Sequence, residues 1–91
     1  MPQSLSSVLV HLVFSTKHRE PFITEEVEPD LHKYLATIFK ACDSPALLVG
    51  GEVDHIHALF SLARTWTMAD IVQEIKASSS KWMKSKVGEF Q

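Results

Sequence analysis

Apolar residues recur along this chain first at every second position, then at every third or fourth, and the alternation of the two periods predicts its elements in order. Residues 6–16, SSVLVHLVFST, are rich in β-branched and aromatic types and run out into the polar KHREP, which reads as a first strand and its exit loop. Both faces of that strand are largely apolar, so a central place in a sheet is expected. The period then lengthens: Val27, Leu31, Tyr34, Leu35, Ile38 and Cys42 mark an amphipathic helix of about four or five turns. Thr24 is the expected N-cap, followed by an acidic first turn of Glu25, Glu26 and Glu28; Pro29 is tolerated that early. SPALLVGGEVDHIHALFSLA returns to the strand period. It reads as a second strand from Ala46 to Val49, a turn or bulge at Gly50-Gly51, and a third strand from about Val53 to Leu62. Thr67, with Asp70 three residues on, resembles a capping box and opens a second helix through Ile71, Val72, Ile75 and Trp82.

The resulting order, strand, helix, strand, strand, helix, is α+β. It is one strand short of the βαββαβ ferredoxin-like or RRM-like sandwich, in which the first and third strands are central and two helices cover one face. The chain is read as one domain over residues 1–91, without repeat, linker or low-complexity segment. A domain of this length buries only about 60–65% of its unfolded surface, so it has little stability to spare.

Charge and composition narrow the setting. Nine Lys and Arg against eleven Asp and Glu give a net charge of −2, so there is no global attraction to nucleic acid or anionic membrane and any basic surface is local. That local surface is the second helix, where Lys76, Lys81, Lys84 and Lys86 occur with no acid among them. The lone Cys42 excludes an internal disulfide, and the first residues lack the charged start and apolar core of a signal peptide. The longest early apolar run falls short of the roughly 20 residues that span a bilayer. A cytoplasmic protein is expected.

The candidate chemistry lies on the third strand. Ile56, Ala58, Phe60 and Leu62 form one apolar stripe, while His55 and His57 fall on the opposite face with Val53 and Leu59. Residues two apart in a strand point the same way, with Cα atoms roughly 6–7 Å apart, so two imidazoles can serve one ion or one phosphate. A pair of polar residues on a solvated sheet surface is the alternative reading. Imidazole suits Zn, Mn, Fe and Ni better than Mg, and further ligands are needed in any case.

Three segments in order, HLVFSTKHREPFI from His11, GGEVDHIHALFSL from Gly50 and IVQEIKASSSKWMKSK from Ile71, resemble the single-tyrosine HUH transposases of small bacterial insertion sequences and their REP-associated relatives. The likeness runs over nearly the whole chain. It implies a ferredoxin-like catalytic domain that binds imperfect single-stranded DNA hairpins at element ends, works as a dimer, and uses the residues matching His55 and His57 to hold Mg or Mn against the scissile phosphate. In such enzymes a tyrosine attacks to leave a 5′-phosphotyrosine link. The family's tyrosine lies on a helix after a fourth strand, with a metal-binding glutamine one turn later, and this sequence ends before both. Its one tyrosine, Tyr34, matches no nucleophile position. A truncated relative that only binds DNA is therefore the alternative expectation.

Other residues have a functional and a plain reading side by side. His11 would face the histidine pair if the first strand lies beside the third, or be an ordinary strand histidine. Lys17, His18 and Arg19 follow the first strand and are candidates for DNA backbone contacts, against solvated loop charges. Lys76, Lys81 and Lys84 would track phosphates, or merely complement a helix C-terminus. Trp66, in the loop before the second helix, is the better base-stacking candidate, Trp82 being in phase with Ile71 and Ile75. Ser78, Ser79 and Ser80 would admit close approach of a neighbour or simply pack locally.

Overall fold

A computed structural model of the chain describes residues 8–86, with Lys17 described by its backbone alone; Ser6 and Ser7, the expected start of the first strand, lie outside the described residues. The elements are β1 (Val8–Ser15), a short turn at Lys17–Arg19, α1 (Glu28–Ala41), β2 (Ala46–Glu52), β3 (His55–Leu62) and α2 (Met68–Lys86). The three strands form one antiparallel sheet in the order β1-β3-β2. The fold is the α+β arrangement that the two periods predict.

An unbroken register from Val8 opposite Leu62 to Ser15 opposite His55 puts Val10, Leu12 and Phe14 on the same face as Phe60, Ala58 and Ile56. Onto this face α1 packs Leu31, Leu35 and Phe39, and α2 packs Ile71 and Ile75, in one continuous core. Phe39, which the helical reading passed over, is fully buried and its ring lies 4.6 Å from that of Phe60, a pairing worth about 0.5–1.5 kcal/mol beyond area burial. Both helices thus lie on one side of the sheet. On the other face Leu9, Val13 and Leu48 are 64%, 52% and 66% exposed, so none of the described elements covers it.

Four details differ from the sequence expectations. Among the described residues β1 is an edge strand, paired only with β3; its apolar outer face is open. Gly50 and Gly51 are not the turn: β2 runs through both to Glu52, which pairs with His55, and Val53-Asp54 make the two-residue connection. The register irregularity lies earlier, between Ala46 and Leu48, where the extra residue Leu47 lets Ala46 and Val49 both face the core. Gly51 is needed for another reason. Its φ is +146°, and a Cβ there would collide with the His55 carbonyl oxygen. Finally, Thr24 does not cap α1 through its side chain. Its carbonyl accepts the N–H groups of Val27 and Glu28 in a tight turn, and the regular helix starts at Glu28, with Pro29 in the first turn where its missing N–H costs nothing.

Thr67 does cap α2, its hydroxyl oxygen accepting the Asp70 N–H at 3.0 Å. In the same helix Ser79 is buried against the core and donates to the Lys76 carbonyl, while Ser78 donates to Glu74, so two of the three serines serve local packing and bonding. Ser44, fully buried after α1, donates to the Cys42 carbonyl at 3.0 Å and accepts the Ala63 N–H at 2.9 Å, tying the end of the helix to the end of β3. No helix among the described residues is long and apolar enough to cross a membrane.

Candidate functional site

Strand alternation sends His55, His57 and Leu59 to the open face of the sheet while their neighbours Ile56, Ala58 and Phe60 are buried beneath them. The His55 and His57 rings lie edge to face with centroids 4.9 Å apart. Across the sheet His57 is opposite Val13 on one side and Gly50 on the other. Nothing lies within 4 Å of where a Gly50 side chain would begin, so the glycine leaves room beside the His57 ring.

His11 on β1 is opposite Leu59 and therefore diagonal to His57 on the same face. Its Nε2 lies 3.3 Å from His57 Nδ1, with ring centroids 5.4 Å apart. The first strand does bring a third imidazole to the pair.

Asp54, in the connection before β3, completes the group. One carboxylate oxygen accepts from His55 Nδ1 at 2.9 Å and the other accepts from Arg19 Nε at 3.3 Å. Its backbone is held in turn: the Asp54 carbonyl accepts the Thr16 N–H at 2.9 Å, and the Val53 carbonyl accepts the Ile23 N–H. The loop after β1 is thereby clamped onto the β2–β3 connection. The hydrogen bond from His55 is the main influence holding the Asp54 carboxyl below its ordinary pKa, assisted by the Arg19 charge and opposed by desolvation.

A carboxylate only accepts hydrogen bonds, so His55 Nδ1 must be the donor and its proton is on that atom. In a neutral ring this leaves Nε2 with a free lone pair, the form in which imidazole binds a metal. No group of three or more His, Cys, Asp or Glu among the described residues is arranged to hold a metal ion. Two imidazoles would leave the rest of a divalent ion's shell to water or phosphate oxygen, and nitrogen donors match Mn better than Mg.

Over residues 4–91 the chain matches the family model described as "Transposase IS200 like". The chain belongs to the IS200-like transposase family. Among solved structures, a candidate transposase from Deinococcus radiodurans superposes with a TM-score of 0.84 at 23% identity, over 91% of this chain and 64% of that one. At that identity the likeness shows the fold alone; this chain spans less than two thirds of that relative. No curated protein matches the chain.

The remaining candidates of this IS200-like transposase chain are spread over the molecule. Arg19 reaches the histidine group through Asp54, whereas Lys17 lies in the same short turn with its side chain outside the described residues. Trp66 is half-buried and packs against the core, a poorer stacking platform than its loop position implied. Lys76, Lys81 and Lys84 are exposed along α2, on the helical side of the sheet, so the fold does not bring them together with His55 and His57. Tyr34 stacks on Trp82 at 6.0 Å in the same helical layer, away from the histidine face. Asp54 was missed by sequence reasoning. The signal was there as an exception: an acid in the apolar stripe, immediately before the histidine pair.

Proposed function

We propose that this chain is the phosphate-handling part of a DNA strand transferase that acts on single-stranded hairpins at element ends in the cytoplasm. The observation that carries the reading is the pair His55 and His57, adjacent on an open sheet face with each Nδ1 engaged by a neighbouring side chain. In this reading the two imidazoles hold a Mg or Mn ion, with Mn favoured by the nitrogen donors. When bound, such an ion neutralises charge on the phosphoryl oxygens and polarises phosphorus. The chain's own residues do the rest: His55 and His57 fix the position of the phosphate, the space beside Gly50 admits the strand, and Arg19, held by Asp54, supplies positive charge beside the histidines. A second copy is part of the proposal, because the edge of β1, unpaired among the described residues, favours strand pairing in a homodimer that leaves the histidine face open. A stable, well-folded monomer throughout a sedimentation dilution series would remove the dimer.

The packing of Tyr34 favours a second reading, a hairpin-binding module that does not itself cut DNA. The chain is incubated with labelled single-stranded hairpins and Mn or Mg, beside the double variant His55→Ala, His57→Ala, and run on denaturing and native gels. A metal-dependent covalent adduct lost in the double variant supports strand transfer by this chain. Retention on the native gel without an adduct supports the binding module. If hairpins are neither joined nor retained, both readings fall.

A further inference from the structure

We propose that Asp54 and His11 are positioning residues that set the tautomers of His55 and His57, so that both rings turn a bare Nε2 toward the open face. The inference deepens the metal-binding reading above and rests on it for its purpose, though not for its geometry.

The two arms differ in how far the structure decides them. On the His55 arm the proton must be on Nδ1, because its partner at 2.9 Å is a carboxylate oxygen. Arg19 on the other oxygen of that carboxylate, together with the Thr16 contact to the Asp54 carbonyl, prevents Asp54 from swinging away. On the His57 arm two arrangements fit a 3.3 Å contact between His11 Nε2 and His57 Nδ1. Either His57 donates and keeps Nε2 bare, or His11 donates and His57 holds its proton on Nε2, where it blocks ligation. Only the first makes the two histidines equivalent. His11 is then the acceptor, with its own proton on Nδ1. The arms come from opposite directions, one along β3 and one across from β1, so neither ring can rotate freely without losing its partner. The Asp54 arm reassigns Arg19 as well: a residue read from the sequence as a DNA contact also backs a histidine ligand.

The test reads protons directly. Long-range nitrogen–proton NMR spectra of the metal-free protein, at a pH above the imidazole range, identify which ring nitrogen of each histidine bears the proton; single histidine substitutions assign the signals. The expected result is protonated Nδ1 on His55, His57 and His11, with Asp54→Ala moving His55 and His11→Ala moving His57 toward the Nε2-protonated form. Asp54→Asn, which can still accept from Nδ1, should restore His55. Titration with Mn alone should show affinity lower by about 10-fold or more for Asp54→Ala and His11→Ala, with partial recovery for Asp54→Asn. Nε2 protonation of His55 or His57 in the unaltered chain, or tautomers that ignore both substitutions, overturns the proposal. Tautomers as stated in a chain that takes up no Mn would uphold the positioning while sinking the metal reading. Mn bound equally well by all variants would do the reverse.

Discussion

Replacing Gly51 by alanine tests whether the histidine strand is built as described, because two adjacent glycines make opposite demands. Gly51 has φ +146°, and an added Cβ would meet the His55 carbonyl oxygen, an atom of the backbone rather than the end of a yielding side chain. Holding a non-glycine residue in that conformation costs about 1–3 kcal/mol. Bending angles and dihedrals enough to clear the oxygen adds about 1 kcal/mol more. The sum, about 2–4 kcal/mol, compares with a total of about 5–14 kcal/mol for a domain of this size. At about 4–8 °C per kcal/mol the unfolding midpoint should fall by about 8–30 °C. Gly50→Ala is the control. Its Cβ enters open space at an ordinary φ, so its effect should be within about 1 kcal/mol of zero and stabilising if the restriction of the unfolded chain dominates. Both variants would be unfolded by heat and by urea with far-ultraviolet circular dichroism as the signal. Equal stability of the two variants would refute the register that brings Gly51 against the start of β3.

Other consequences follow from single contacts. Ser44→Ala removes the hydroxyl between the Cys42 carbonyl and the Ala63 N–H and should lower stability by about 1–3 kcal/mol; an unchanged urea midpoint would count against that bridge. Because the native pKa of Asp54 lies below the ordinary 3.8, its contribution is complete above that value and is lost as pH falls through the native pKa. Asp54→Asn should therefore be less stable than the parent at about pH 5, with the gap closing toward about pH 2, and a constant gap would contradict the assignment. Burial, followed by the Glu74 and Asp43 charges, pushes the Cys42 thiol above its ordinary 9.0, so it stays protonated at neutral pH. A disulfide reagent should label it only as the fold opens, and an immediate reaction in native buffer would show the thiol to be accessible.

Much of the architecture was legible because it is written in local spacing. A period of two placed Ile56, Ala58 and Phe60 in the core and His55 and His57 opposite, and a helical period marked Leu31, Leu35, Ile71 and Ile75. Those patterns follow from backbone geometry, which any short window of sequence reveals. The Gly50-Gly51 pair was misread because glycine serves equally for a turn and for close approach of two strands, and only the pairing of Glu52 with His55 distinguishes them. The histidine group lies further from local rules. His11 and His57 are 46 residues apart, and Arg19 and Asp54 are 35 apart. Their meeting depends on which strand lies beside which and in what register, a choice made by burying Val10, Leu12 and Phe14 against the same face as Phe60, Ala58 and Ile56. The sequence by itself determined two imidazoles on one side of a strand. Tertiary structure alone decided that a third imidazole would reach His57 and that Arg19 would back the carboxylate beside His55, because hydrogen bonds between distant residues exist only once the core has set the register.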